Sequence, residues 1–249
     1  MKIKYIFLSS VFLIFTLSYA YVENTHQDLF LKANLLYKSG KFEKSKDLYE
    51  KIPNKGSRVY YNLGNCFYRL DKYGYALLNW RRAEKQWGIY NKSELLENIY
   101  LLKSKLFGQK EQTTKIKFFL NIKNQIVSFI KSAPLLLIQI IFFVLWLFLF
   151  LYLRYLYKKR QKLLITTLFF LIALTGIVLA MKYTFEARRY GVVVCKQAKL
   201  LSGPSNKFQI IGVLPEAREA LIKKDSANYY KIKGKGQVGW VSCKDMEEI

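Results

Sequence analysis

Side chains able to carry covalent chemistry are few in this sequence. It holds one histidine, His26, and three cysteines, Cys66, Cys195 and Cys243. A histidine-based active site would rest on His26 alone. A zinc site of four Cys or His ligands would need all four of these residues, and their spacing fits no such site. No nucleophile–histidine arrangement, phosphate-cradling glycine loop or motif-placed pair of carboxylates is present. No catalytic residue, metal or cofactor is expected, and an enzyme is the least supported class. The chemistry that does recur is recognition. Asn34 and Asn65, each able to donate and accept hydrogen bonds, lie 31 residues apart, and so do Tyr37 and Tyr68.

Those pairs belong to an internal repeat within residues 26–106. At the same offset of 31, Ala33 aligns with Gly64, Phe42 with Tyr73, Ser45 with Ala76, Tyr49 with Trp80, and Ile52 with Ala83. Small residues where two helices cross, with large aromatics as knobs, describe a helix–turn–helix unit. Gly40 and Asp71 fall in its turn. Residues 91–106 read as a further helix, either a cap or the start of a degenerate third unit. The segment YNLGNCFYRLDKYGYALLNWRRA resembles one complete unit of the tetratricopeptide (TPR) family. The first unit departs from the pattern, with Lys32 in place of leucine and Ser45 in place of alanine. The offset is three residues below the family's usual period of about 34, so the turn near 53–56 must be short. The resemblance implies a small all-α solenoid that binds peptides or partner helices on one face. Its groove-facing positions would be Phe30, Asn34, Tyr37, Lys38, Tyr61, Asn65, Tyr68 and Arg69. Asn34 and Asn65 match the asparagines of carboxylate-binding members, but Phe30 stands where those carry lysine.

The apolar residues are clustered at 8–17, 134–153 and 163–181, which excludes a single soluble domain. Residues 1–20 read as a signal peptide. Lys2 and Lys4 precede an apolar stretch, and Ser18-Tyr19-Ala20 puts small residues at the positions before cleavage. The other reading is an uncleaved signal anchor; both export the helical repeats downstream. Residues 133–153 and 163–182 are read as transmembrane helices. Neither apolar run, 134–153 or 163–181, contains a charged residue, so both are anchors rather than an ion path. Gln139, Thr166, Thr167 and Thr175 offer hydrogen bonds between the two helices. The loop 154–162 holds Arg154, Lys158, Lys159, Arg160 and Lys162 with no acid, which places it in the cytoplasm. Both flanking domains are then exported. Residues 111–132 form an amphipathic linker that either lies on the membrane or extends the first span.

The formal charge is +24. The excess is spread over every segment, without a basic stripe interleaved with stacking aromatics, so nucleic acid is not the expected partner. An anionic membrane surface is the natural counter-charge.

From 190 to 249 the pattern changes to short strands. A β-rich run precedes strands near 209–214, 219–224, 228–233 and 237–242, with turns between them. Five strands suggest a small all-β barrel. Ser202-Gly203-Pro204-Ser205, Gly212-Val213-Leu214 and Gly239-Trp240-Val241 resemble the bacterial SH3-like family. That resemblance implies binding of cell-wall peptides or proteins, or packing on a neighbour. Phe208, Tyr229 and Trp240 would line a groove; the alternative puts Trp240, like Tyr230, in the barrel core. Cys195 and Cys243 lie near the two ends of the barrel chain in an oxidising compartment, which leaves a disulfide between them open. Cys66 reads as a buried small residue.

The order of signal peptide, TPR units, two spans around a basic loop and SH3-like module resembles the BatE-like family of the Bacteroides aerotolerance operon. The resemblance implies a multidomain membrane protein of the bacterial inner membrane with both domains on the exported, periplasmic side. It would act as an adaptor or scaffold beside von Willebrand factor A-domain membrane proteins and a MoxR-type ATPase. The alternative is a sensor whose SH3-like module reads peptidoglycan.

Overall fold

The computed structural model describes residues 26–87, 93–108, 130, 133–156, 162–234 and 237–249. The signal peptide and nearly all of the 111–132 linker lie outside them, as do residues 157–161 of the basic loop.

The described residues before the first apolar helix include five helices: α1 (26–38), α2 (Phe42–Lys51), α3 (Ser57–Arg69), α4 (Tyr73–Gln86) and α5 (Ser93–Phe107). The 31-residue repeat is visible atom by atom. Helix α1 ends with Gly40 N–H donating to the Tyr37 carbonyl and Lys41 N–H to that of Leu36. Helix α3 ends with the equivalent pair, Asp71 to Tyr68 and Lys72 to Phe67. Gly40 and Asp71 both take the left-handed conformation that this cap requires, with φ of 75° and 56°. The turn between units is closed by Lys55, whose Nζ donates to the carbonyls of Glu50 and Ile52 at 2.8 Å.

The two hairpins cross at the small residues. Ser45 Oγ donates to the Ala33 carbonyl at 2.8 Å. At the matching crossing, a Cβ on Gly64 would lie 2.4 Å from Cδ1 of Trp80 and 3.1 Å from the Ala76 carbonyl oxygen. Tyr49, Leu77, Leu78, Trp80 and Leu102 are among the side chains buried in this core.

Among the described residues, two further helices are long and apolar enough to cross a membrane. They are α6 (Leu135–Leu151), continued by a π-helical turn over Tyr152–Leu156, and α7 (Lys162–Glu186). Their apolar stretches, Leu135–Arg154 and Leu164–Thr184, have mean hydropathies of 2.8 and 2.5. They pack together through Leu149, Leu168 and Ile172, with Phe142 beside Gly176. Two of the threonines expected to bridge them bond within their own helix instead. Thr167 donates to the Leu164 carbonyl, and Thr175 to those of Leu171 and Ile172. A threonine hydroxyl reaches a carbonyl one turn back in its own helix more readily than a neighbouring helix.

The C-terminal part is an antiparallel sheet of seven strands: β1 (Arg189–Val193), β2 (Gln197–Leu201), β3 (Ile210–Pro215), β4 (Glu219–Ser226), β5 (Tyr229–Gly234), β6 (Gln237–Ser242) and β7 (Met246–Glu248). Their order is β3-β2-β6-β5-β4-β1-β7. The sequence suggested five strands. The chain breaks pairing at 194–196, so the first run becomes two strands: β1 joins β4 and β7, whereas β2 joins β3 and β6. The seventh strand is only three residues long, too short for an alternation signal. The sheet's core is Val193, Ala198, Leu200, Ala220, Ile222, Ile232, Val241 and Met246.

Helix α4 lies along β1, and the two domains share one buried cluster. Val192, Val194 and Ala217 from the strand domain join the helical core, while Val193 faces the sheet core. Strand β1 is therefore covered on both sides. Gly74 makes the approach possible: a Cβ there would lie 2.4 Å from the Val193 carbonyl oxygen and 2.7 Å from Val194 Cα. Helix α4 has no side-chain cap of its own. Its Gly74 N–H is met instead by Glu216 Oε1 at 2.8 Å, from the turn between β3 and β4. A carboxylate at a helix start is favoured by the exposed N–H groups and the helix dipole.

Candidate functional site

Helices α1, α3 and α5 line the inner face of the helical domain, and that face is hollow. One hollow of about 420 Å³ lies over Leu31, Asn34, Leu35, Tyr37, Lys38, Tyr49, Asn62 and Asn65. A second of about 290 Å³ is lined by Tyr37, Tyr61, Asn65, Tyr68, Arg69, Trp80, Glu94, Asn98 and Leu101. Tyr37 and Asn65 border both, so the two form one groove. The docked strand domain meets α4 and the outer side of α5, and leaves the groove open.

The repeat places the asparagines in equivalent roles. Tyr49 donates its hydroxyl to Asn34 Oδ1 at 2.5 Å, and Trp80 donates Nε1–H to Asn65 Oδ1 at 3.0 Å. In each unit an aromatic of the second helix holds the asparagine carbonyl. The amide N–H₂ donors are thereby turned away from that contact, and both residues border the hollow. Asn62 adds a third amide, donating to Asn34 Oδ1 at 3.0 Å and to the Tyr49 oxygen at 3.1 Å. At the far end Tyr61 donates to Glu94 Oε1 at 2.6 Å and accepts from Asn98 at 3.0 Å. Burial pushes the Tyr49 phenol up to about 12, against a weaker opposing effect from its bond with Asn62. Burial, reinforced by Glu94, pushes Tyr61 to about 12 as well. Both remain neutral donors throughout the physiological range.

Of the eight residues expected to face the groove, Asn34, Tyr37, Lys38, Tyr61, Asn65, Tyr68 and Arg69 line it. Phe30 does not. Its ring packs edge-on against Tyr49 at 5.9 Å, beside the helical core. Sequence reasoning missed the apolar lip formed by Leu31, Leu35 and Leu101. Leu35 is 66% exposed, unusual for a leucine inside a packed repeat. It also missed Asn62, Glu94 and Asn98. Asn62 sits one turn before Asn65 on α3, a helical-spacing signal that was available. The contribution of α5 could not be read from a helix that reads equally as a cap.

The groove combines polar and apolar groups. It offers amide donors at the floor, neutral phenols along the length, leucines at the lip, and Lys38 and Arg69 at one rim. Among the described residues, no group of three His, Cys, Asp or Glu side chains gathers in a way that could hold a metal.

On the strand domain the three expected groove residues share one end or face of the sheet. Tyr229 and Trp240 lie on the sheet face opposite Ile232 and Val241, because Tyr229 pairs with Ser242 and Lys231 with Trp240. Trp240 is half-buried beneath Lys231 Nζ, 5.7 Å from its ring centre, so it is not a core residue; Tyr230 packs on the core. Phe208 covers Gly203 and is 47% exposed.

Cys195 and Cys243 are free thiols, as is Cys66. Cys195, in the turn after β1, faces Asp245. Burial and that carboxylate push its thiol up. Cys243 faces Tyr230 instead, and its N–H donates to the Asn228 carbonyl at 2.8 Å. The two side chains are turned to different neighbours, so the disulfide left open by the sequence does not form here. No family model matches the chain, and no curated protein matches it.

Proposed function

We propose that this chain is a two-pass membrane adaptor that holds an extended segment of a protein partner in the groove of α1, α3 and α5. The observation that carries this reading is the continuity of the groove through Tyr37 and Asn65, with exposed leucines at its lip. The helical hairpins are read as tetratricopeptide units and the strand domain as an SH3-like module. The docking of the two domains supports the topology. Domains that pack on one another lie on one side of the membrane, and two spans between them satisfy that. The signal peptide and basic loop support the exported side of the bacterial inner membrane. The order of modules keeps the BatE-like resemblance, with von Willebrand factor A-domain membrane proteins as the partner class to try first.

The test is photocrosslinking in native membranes from a benzophenone side chain in place of Leu35 or Leu101. The expected result is one and the same protein partner from both positions. Capture from neither position, or of unrelated proteins from the two, would overturn the reading. A cell-wall sensor is the second reading, favoured by the outward Tyr229 and Trp240. It predicts retention of the detergent-solubilised full chain on purified wall.

A further inference from the structure

The sheet has two edges with different fates. The β7 edge and β1 beside it are covered by α4. The β3 edge is open, and Phe208, Ile210, Ile211 and Val213 on and before it are all exposed. An apolar edge of this kind ordinarily has an occupant. Two observations say which.

The first is the path of the chain. Helix α7 ends at Glu186 and β1 begins at Arg189, so only two residues separate the apolar helix from the sheet. Arg189 Nη1 pairs with Asp225 Oδ2 at 2.8 Å, at the end of β4. The turn from there leads to Tyr229, whose hydroxyl donates to Asn206 Oδ1 at 2.8 Å. The loop carrying Phe208 thus lies at the same end of the sheet as the end of α7. Two extended residues reach about 7 Å, so that end cannot leave the membrane surface.

The second is charge. Lys207 precedes Phe208, Lys244 follows the Ser242 end of β6, which pairs with Tyr229, and Lys231 stands two residues along β5 from Tyr229. The domain's carboxylates are engaged elsewhere: Glu216 and Glu219 with the helical domain, Asp225 with Arg189. Apolar tips flanked by lysine, held next to a bilayer, fit anionic lipid headgroups.

We infer that the end of the strand domain bearing Phe208 rests in the headgroup layer of the membrane that α7 crosses. Phe208 and Ile210 enter the boundary of the acyl region, and Lys207 meets lipid phosphate. The contact fixes the tilt of the strand domain, and with it the direction in which the docked groove opens. This rests on α6 and α7 being membrane spans.

The experiment puts p-benzoylphenylalanine at 208, 143 or 238 in the full chain. The protein is held in nanodiscs of phosphatidylglycerol and phosphatidylcholine, with soluble wall fragments added. Position 143 reports the span. Position 238 lies at the other end of β6, about 13 Å from the Ser242 end. The expected result is lipid adducts at 208 approaching those at 143 and at least about fivefold above those at 238. Removing phosphatidylglycerol should lower adducts at 208 and leave 143 unchanged. Adducts at 143 but not at 208 overturn the inference and leave the spans standing. No lipid adducts at 143 overturns the spans and the inference together. Adducts from 208 to wall fragments or a second copy of the chain assign the edge to that occupant instead. If the 208 protein does not fold, the same comparison is made from Ile210.

Discussion

The guanidinium of Arg81 and the carboxylate of Glu219, 138 residues apart in the chain, meet at 2.6 Å across the seam between the helical and strand domains. Lys103 reaches the same carboxylate, and all three side chains are under a quarter exposed. Replacing Glu219 by Gln leaves Lys103 facing a neutral amide, and Arg81 with Glu84 as its remaining carboxylate, in a largely dry seam. The docking should weaken by about 2–3 kcal/mol, below the cost for a fully buried pair. Hydrogen exchange of α4 and β1 in the full chain is the measurement. Protection is expected to fall in both elements together, and unchanged protection would show the seam is held by apolar contact alone.

Acid should open the same seam. Burial favours the neutral form of Glu219, but Arg81 and Lys103 outweigh it and bring the carboxyl from 4.5 to about 2. Because the folded value is the lower one, this contribution is complete above about pH 4.5 and fades as pH falls through about 2. Its ceiling is roughly 3 kcal/mol. Seam protection, taken relative to the intrinsic exchange rate at each pH, should fall from pH 5 to pH 2. In Glu219→Gln that fall should be absent, and a Gln variant with the same acid response would place the titrating group elsewhere.

Two glycines should separate two kinds of damage. Gly64→Ala drives a methyl into Trp80 inside the second hairpin, costing about 1–3 kcal/mol of helical-domain stability. Gly74→Ala meets the backbone of Val193 and Val194 instead, so it should loosen the docking while the hairpin survives. Thermal unfolding paired with limited proteolysis between the domains distinguishes them. Equal stability of Gly64→Leu and the wild type would refute the hairpin alignment.

The cysteines should differ in reach. Cys66 is fully buried, and burial pushes its thiol up to about 11. Cys195 and Cys243 are half-buried. A maleimide added without reductant should modify Cys195 and Cys243 in the native chain, and Cys66 only after denaturation. Absence of labelling at both until a reductant is added would restore the disulfide.

Much of this architecture was legible because several signals agreed at one position. The offset of 31 predicted both turns and both crossings, since Gly40/Asp71 and Ala33/Gly64 each require a particular local geometry; it set Asn34 and Asn65 at equivalent positions but did not reveal their bonds to Tyr49 and Trp80. The two apolar helices follow from composition alone. The docking was not anticipated, although Val192-Val193-Val194 carries its trace. A strand with one wet face alternates, and three consecutive valines mean both faces are covered. What covers them depends on Gly74 and Glu216, which are remote in sequence and individually ordinary. The groove was found on α1 and α3, where the repeat supplies a register, and missed on α5, where it does not. Phe30 illustrates the limit of the register: its spacing suits the groove, but the ring of Tyr49 draws it against the core.

The most direct test of the adaptor reading is binding of the captured partner segment to the purified full chain in nanodiscs. It compares wild type with Leu35→Lys, Leu101→Lys and Phe208→Ser. The leucines are exposed, so their replacement should leave folding intact. Each should weaken binding at least about tenfold, consistent with loss of an apolar anchor from a peptide groove, while Phe208→Ser leaves it unchanged. Binding that survives both leucine substitutions, or that depends on Phe208 instead, would contradict the assignment of the groove as the site.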